Sequence, residues 1–198
     1  LSTDASGVSR FAKELSVDVY RDQCTGIFSL FGCPLGLGRV FYTELSEGVR
    51  TAVLSSARVI NVSWGWDTVA KSGCRQTQAV RLAGQLQFRE TMKPLVNLAR
   101  ANDKLLVMAA GNTCEKRDDQ LLTSSTDPSR DSWQFNVLIV GASTSGLKDA
   151  LFSRMGAVVN LMAPGEDVGF GQGTYSGTSF SAPLVAGAEG NMAMPLAM

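Results

Sequence analysis

Four short apolar runs punctuate the chain, and each has the length of a β-strand rather than of a helix. Valine, isoleucine and leucine fill these runs without the alternation of a strand that has one wet face, so we predict strands buried on both faces of a sheet. The runs are VINVS at residues 59–63, LLVMAA at 105–110, VLIV at 137–140 and VVNLM at 158–162. LSVDVY at residues 15–20 alternates and predicts a further strand.

Three other stretches have helical spacing of their apolar residues. They are residues 43–57, residues 77–102 and the segment from Thr178 onward. Pro94 should kink or split the second helix, or begin a new helix at its first turn, and Gly190 and Pro195 should end the third early. Apolar strands that alternate with helices predict an α/β fold with a mainly parallel sheet flanked by helices. Residues 169–176 predict a glycine-rich hairpin.

Small residues and one amide stand at or just after the ends of the predicted strands. They are Gly65, Asn112, Gly141 and Gly165. Parallel sheets bind ligands at the carboxyl ends of their strands, and glycine lets a bound chain approach the backbone closely. We therefore expect a binding site at this edge of the sheet.

Composition excludes several classes of function. Eighteen basic and eighteen acidic side chains cancel, which argues against nucleic acid or an acidic membrane surface as a partner. The apolar runs are too short to span a bilayer. The four cysteines have no CxxC spacing and no histidine beside them, which is unlike a zinc site. We predict two disulfides, Cys24–Cys33 and Cys74–Cys114, in an oxidising compartment; four cysteines allow three pairings, and four free thiols in a cytosolic protein are the alternative.

Gly177-Thr178-Ser179 runs directly into the last apolar helix. The glycine permits a tight turn, and the free N–H groups and dipole of a helix start favour negative charge. A serine there is either an ordinary cap or a nucleophile whose own N–H helps to bind an oxyanion. Asn112, at the end of a buried strand, offers a second donor and shifts the interpretation towards a nucleophile.

In their order along the chain, five segments resemble the subtilisin-like serine proteases. They are VINVSWG, LLVMAAGN, VLIVGAST, FSRMGAVVNLMAPGEDV and YSGTSFSAPLVAGA, and they extend over residues 59–188. The resemblance implies a three-layer sandwich in which Ser179 attacks a peptide carbonyl, while the Asn112 amide and the Ser179 N–H form the oxyanion hole. It also implies two substrate-binding segments. One pairs with the substrate backbone and the other forms a pocket wall: Ser63-Trp64-Gly65 and Ala109-Ala110-Gly111, respectively.

The chain departs from this family in its catalytic base. The family order is Asp, His, Ser, but no histidine is present, and residues 1–58 hold no Asp-Thr/Ser-Gly segment. Leu184 stands where a non-catalytic histidine often follows the family's proline. A sedolisin-like arrangement is disfavoured because it places an aspartate where this chain has Asn112. No lysine lies near these motifs in sequence, although a spatially close one stays open, and GTSFS lacks the last glycine of a lipase elbow.

Residues 1–198 are therefore expected to form a partial peptidase domain, its nucleophile and oxyanion half, with the fold incomplete on the N-terminal side. The leading hypothesis is a secreted or extracytoplasmic serine endopeptidase that acts only with an N-terminal companion segment or chain supplying Asp and His. A pseudoprotease that binds peptides or proteins without chemistry is one alternative, and a subunit held in a larger assembly through its exposed sheet edge is another. No cofactor is evident, no acidic metal cluster is found, and a structural calcium site is suggested only by family analogy.

Overall fold

The computed structural model describes residues 42–63, 78–112, 136–155, 159–170 and 173–192. Three helices and six strands lie in these ranges. The helices are α1 (Tyr42–Leu54), α2 (Gln78–Ala101) and α3 (Thr178–Met192). The strands are β1 (Val59–Val62), β2 (Leu105–Ala109), β3 (Val137–Ser143), β4 (Leu161–Pro164), β5 (Val168–Phe170) and β6 (Gly173–Tyr175).

Strands β1 to β4 form one parallel sheet in the order β1-β2-β3-β4. The register aligns Val59 with Leu105, Leu106 with Val137 and Val140 with Leu161. All four carboxyl ends therefore point to the same edge of the sheet. Strands β5 and β6 form a separate antiparallel hairpin, as the glycine-rich pattern predicted.

The helices cover both faces of the sheet and complete three layers. On one face, α1 and α2 pack large apolar side chains such as Val53 and Met92 against Leu106 and Met108 of β2. On the other face, α3 contacts all four strands, and its Ala182 joins a smaller core. Successive β2 residues enter opposite cores, so this strand is buried on both faces, as its unbroken apolar run predicted.

The predicted end of β3 is wrong. Gly141 lies inside the strand, which continues to Ser143, and Gly141 is aligned with Met162 of β4. The Met162 sulfur fills the space where a side chain at position 141 would lie. Glycine serves close packing here rather than a strand end.

Strand β4 begins later than predicted, at Leu161. Just before it, the Asn160 side-chain oxygen accepts a hydrogen bond of 2.7 Å from the Ile139 N–H, and the Asn160 N–H donates to the Ile139 carbonyl at 2.9 Å. The Asn160 side chain thus takes the place of a backbone acceptor in the hydrogen-bond ladder with β3, and β4 begins at the next residue.

Two of the predicted helix boundaries differ in the structure, since α2 is not split at Pro94 and α3 continues past Gly190. Helix α2 continues through Pro94, whose side chain is exposed. The carbonyl that loses its partner is that of Glu90, also an exposed residue, so water can satisfy it. Helix α3 includes Gly190 and ends at Met192. The predicted strand at 15–20, Gly65 and Pro195 lie outside the described residues.

Candidate active site

Ser179 is the second residue of α3, as predicted, and is half-buried. The turn before the helix is tied to the carboxyl edge of the sheet, because the Gly177 N–H donates to the Gly165 carbonyl just after β4 at 2.7 Å. The Phe180 N–H donates to the Gly177 carbonyl at 3.0 Å. Ser179 therefore lies in a fixed first turn at the edge where ligands of parallel sheets bind.

Asn112 follows β2 at the same edge, and its side chain is oriented by Thr178. The Asn112 Oδ1 accepts hydrogen bonds from the Thr178 N–H at 2.9 Å and from the Thr178 hydroxyl at 3.1 Å. The same hydroxyl accepts one from the Gly111 N–H at 3.1 Å. With Oδ1 held in this way, the donor end of the amide is turned away from Thr178.

That donor end lies beside the nucleophile candidate. A β-carbon at Gly177 would lie 3.6 Å from the Asn112 Nδ2 and 3.6 Å from the Ser179 Oγ. Both groups thus border one small space that the absence of a side chain at Gly177 leaves open. The structure brings Asn112 and Ser179 to the same space, although they are 67 positions apart in the sequence.

A second set of contacts fixes the start of α3 against β4. The Ser181 hydroxyl is fully buried and donates to the Ala163 and Pro164 carbonyls, 3.0 and 3.2 Å away. A β-carbon at Gly165 would overlap the Ser181 Oγ and would lie 2.6 Å from the Ala142 Cβ. Only glycine fits at Gly165, so helix and strand approach closely here.

The connection between β3 and β4 packs against the Asn112 segment. Ser153 forms an isolated antiparallel bridge with Asn112, and the Arg154 N–H donates to the Gly111 carbonyl at 3.1 Å. The buried Ser153 hydroxyl accepts from the Ala142 N–H and donates to the Arg154 carbonyl. Sequence reasoning missed Thr178, Ser181 and Ser153, although a hydroxyl in an apolar run beside a strand end was the available signal.

The predicted substrate-binding residues are only partly within the described ranges. Ala109 and Ala110 are buried, and they pack into opposite cores. This segment, with Gly111 at a φ of 93°, offers a ligand its backbone rather than its side chains. Ser63 is half-buried, and its hydroxyl bonds the Asn61 side chain. Trp64 and Gly65 lie outside the described residues.

Two other predictions have limited structural coverage. Cys24, Cys33, Cys74 and Cys114 all lie outside the described residues, so both pairings stay predictions. Within the described ranges, no group of three or more His, Cys, Asp or Glu side chains could hold a metal ion. No helix in those ranges is long and apolar enough to cross a membrane.

The family model of the subtilases, Peptidase S8, matches residues 34–192. The chain belongs to the subtilase family. The match includes Asn112, Thr178 and Ser179, whose geometry at one sheet edge agrees with the fold that the resemblance implied.

Individual subtilases show how much of the chain is alike. The subtilase-type proteinase psp3 of Schizosaccharomyces pombe is 31% identical over 188 residues, which cover 91% of this chain and 34% of that protein. Thermitase of Thermoactinomyces vulgaris is 29% identical over 157 residues, which cover 77% of this chain and 46% of thermitase. The chain thus spans less than half the length of these relatives.

A solved structure supports the fold independently. A cold-adapted subtilisin-like serine proteinase superposes with a TM-score of 0.53 at 23% identity, covering 78% of this chain and 49% of the other. The parallel sheet with helices on both faces is therefore an incomplete subtilisin-like α/β sandwich.

Proposed function

We propose that this chain carries the nucleophile and oxyanion half of a serine endopeptidase, with Ser179 as the nucleophile. One observation supports this most strongly. The Asn112 Nδ2 and the Ser179 Oγ border the same open space beside Gly177, and the other end of the Asn112 amide is held by Thr178. A cap that only began a helix would not need an oriented amide donor beside it.

In this proposal, the Ser179 Oγ attacks a peptide carbonyl carbon, and the carbonyl oxygen becomes an oxyanion. The Asn112 Nδ2 and the Ser179 N–H donate to it. The neighbouring amides already have partners, because the Thr178 N–H donates to Asn112 and the Phe180 N–H donates to Gly177. The Ser179 N–H lies between them in the first turn, where helix N–H groups lack partners within the helix.

The residues next to these donors suggest how a peptide would bind. We propose that Ser63-Trp64-Gly65, directly after β1, pairs with the substrate backbone as an added strand. Ala109-Ala110-Gly111 would border the side chain before the scissile bond through its backbone. Peptides and proteins are therefore the proposed substrates.

This sequence contains no histidine, the base that the family uses, so in this proposal the catalytic base comes from outside residues 1–198. Serine is a weak nucleophile near neutral pH without a base to take its proton. We propose that an N-terminal segment or companion chain of the same protease supplies the histidine and the aspartate that orients it. The four cysteines support a secreted or extracytoplasmic protein with disulfides.

Reaction with a serine-directed fluorophosphonate tests this proposal. The complete protein, with its N-terminal piece, should be labelled on Ser179, and Ser179→Ala should abolish the label. Ser145→Ala, at an exposed serine of the turn after β3, is the matched control and should label like the wild type. Labelling of the isolated chain at the same rate would refute the need for an external base, and a complete protein that never labels would refute the protease.

A pseudoprotease that only binds peptides or proteins is the second candidate, and the missing histidine is the observation that favours it. The two candidates predict different native proteins. An intact mass near 21.1 kDa without a companion chain, together with peptide binding that Ser179→Ala leaves unchanged, would favour the binding module. A larger mass or a co-purifying partner would favour the protease.

A further inference from the structure

Among the described residues, three that are not glycine have a positive φ. Asp103 and Asp167 have φ values of 54° and 52°, and aspartate is one of the residue types enriched in this region. Leu147 has a φ of 59°. A bulky aliphatic side chain is a genuine outlier there, because its Cβ crowds the following carbonyl.

The backbone around Leu147 is held in this conformation by Thr144. The Thr144 N–H donates to the Lys148 carbonyl at 2.7 Å, and the Leu147 N–H donates to the Thr144 carbonyl at 3.1 Å. The Thr144 hydroxyl accepts from the Gly146 and Lys148 N–H groups, both at 3.2 Å. These four hydrogen bonds define the turn. Its tip carries Leu147, a residue type that is unfavourable at a positive φ.

Leu147 gains nothing from burial that would offset this strain. Its side chain is 86% exposed, and Leu151, further along the same connection, is 75% exposed. We call Leu147 and Leu151 the leucine ridge. Strain that persists without a packing reason points to a functional contact.

The leucine ridge lies at the catalytic edge of the sheet. The turn that carries Leu147 leaves the carboxyl end of β3, where Ser143 forms an isolated antiparallel bridge with Asp149. Two residues after Leu151, Ser153 forms its bridge with Asn112. The exposed leucines are therefore continuous with the segment that supports the oxyanion donor.

We propose that the leucine ridge is an exosite that binds apolar side chains of an extended polypeptide substrate, outside the residues around the scissile bond. This inference rests on the proposed function. Two leucines offer far less area than the roughly 1,200 Å² that a stable protein–protein interface buries, which argues against a second copy as the occupant. A polypeptide already held near Ser179 needs only a small additional contact, because the second contact forms within one complex.

The test compares a long substrate with a short one. The complete protein is assayed on reduced, carboxymethylated lactalbumin and on a four-residue peptide p-nitroanilide. The double variant Leu147→Asn with Leu151→Ser should lower kcat/KM about tenfold on the long substrate, the equivalent of losing partial burial of two leucines, and less than twofold on the short one. Leu54→Asn replaces a leucine that is 55% exposed on α1, across the sheet from α3, and should change neither rate.

Leu147→Asn also reports on the fold. Asparagine accepts a positive φ, so this variant alone should raise the Tm by about 2–4 °C while weakening cleavage of the long substrate. A substitution that improves stability and impairs only long-substrate cleavage cannot be explained as damage to the fold.

A binding arm separates failure of the exosite from failure of the proposed function. In a Ser179→Ala background, fluorescence anisotropy with labelled lactalbumin should show a Kd that is about tenfold higher for the double variant. Equal losses on both substrates, an unchanged Kd, or a dimer that dissociates in sedimentation when the ridge is changed would each overturn the exosite. A wild type that cleaves neither substrate would overturn the proposed function, and the anisotropy result would then decide on the ridge alone.

Discussion

The two faces of the sheet are packed with side chains of different size. Under α1 and α2, the core consists mostly of large aliphatic side chains, with Met92, Leu106 and Met108 almost fully buried. Under α3, the core is smaller, and its buried members are alanine and valine, including Ala163, Ala182 and Val185. Among the described residues, α3 contributes two fully buried hydroxyls, those of Thr178 and Ser181, and the connection after β3 contributes a third, that of Ser153.

This difference suggests that one face mainly stabilises the fold, while the other mainly positions Ser179 and Asn112. The burial of large apolar side chains stabilises the folded state. This stabilisation depends mainly on the area buried and less on which neighbours the side chains contact. Small residues let the α3 backbone approach the strand ends closely, so that hydrogen bonds rather than volume decide where Ser179 and Asn112 lie. We therefore expect substitutions on the first face to lower the free energy of unfolding, and substitutions at the α3 side to affect stability less and geometry more.

Leu106→Ala should have the largest effect on stability. The Leu106 side chain is fully buried between the sheet and α2, so its truncation should lower the free energy of unfolding by about 2–5 kcal/mol. Urea denaturation of the complete protein measures this loss. Leu54→Ala, at a side chain that is 55% exposed, is the control and should stay within about 0.5 kcal/mol. Equal losses in the two variants would mean that the α2 face is not the stabilising core.

Gly165→Ala should come next, through overpacking instead of a cavity. The added methyl would overlap the Ser181 Oγ and would lie 2.6 Å from the Ala142 Cβ. Helix α3 and strand β4 must therefore move apart, at a cost of about 1–3 kcal/mol. Because the Gly177 turn is tied to Gly165, fluorophosphonate labelling of Ser179 should fall as well. Gly169→Ala is the control, since nothing lies within 4 Å of its added carbon. Normal stability in Gly165→Ala would contradict the close approach.

Thr178→Val tests the orientation of Asn112. The substitution keeps the shape of the side chain but removes the hydroxyl that donates to Asn112 and accepts from Gly111. Two buried polar groups each lose a partner, so the free energy of unfolding should fall by about 1–3 kcal/mol. Labelling of Ser179 should slow because the amide is no longer fixed. Thr178→Ser keeps the hydroxyl and should retain most of the rate; equal slowing in both variants would assign Thr178 to packing alone.

The sequence predicted the layered fold well because that part depends on apolar runs. The strands at Leu106 and Val140 were recognisable from composition and length alone. The details that failed, at Gly141, Asn160 and Pro94, each depend on one neighbour in space: a methionine sulfur, a side chain that replaces a ladder partner, and a solvent-exposed carbonyl. A local pattern of apolar and polar residues does not predict which distant residues become neighbours in space.

For the candidate site, the motif order predicted Asn112 and Ser179, but it did not predict what orients them. The Thr178 hydroxyl lies between the two motifs in space, and its partners are 66 and 67 residues away in sequence. Serine and threonine near a helix start are expected as caps in any case. Only the distances distinguish a threonine that starts a helix from one that also orients the Asn112 amide.

Gly177→Ala should have the smallest effect on stability and still impair the chemistry. Its added methyl would make only ordinary contacts, 3.6 Å from both the Asn112 Nδ2 and the Ser179 Oγ and 3.7 Å from the Phe180 ring, so the free energy of unfolding should change by less than about 1 kcal/mol. An oxyanion must lie about 2.7–3.1 Å from its donors, and the methyl would border that space. Labelling of Ser179 should therefore fall by roughly a hundredfold, the size expected for a displacement of about 1 Å.

Gly190→Ala is the matched control within α3, because nothing lies within 4 Å of its added carbon. It should stabilise the helix by about 0.5–1 kcal/mol and leave labelling unchanged. If Gly177→Ala labels at the wild-type rate, the space between Asn112 and Ser179 is not where the carbonyl oxygen binds, and the oxyanion assignment fails. If Gly177→Ala labels slowly while its unfolding curve matches that of the wild type, then the α3 side at Gly177 determines the geometry of the site and contributes little to stability.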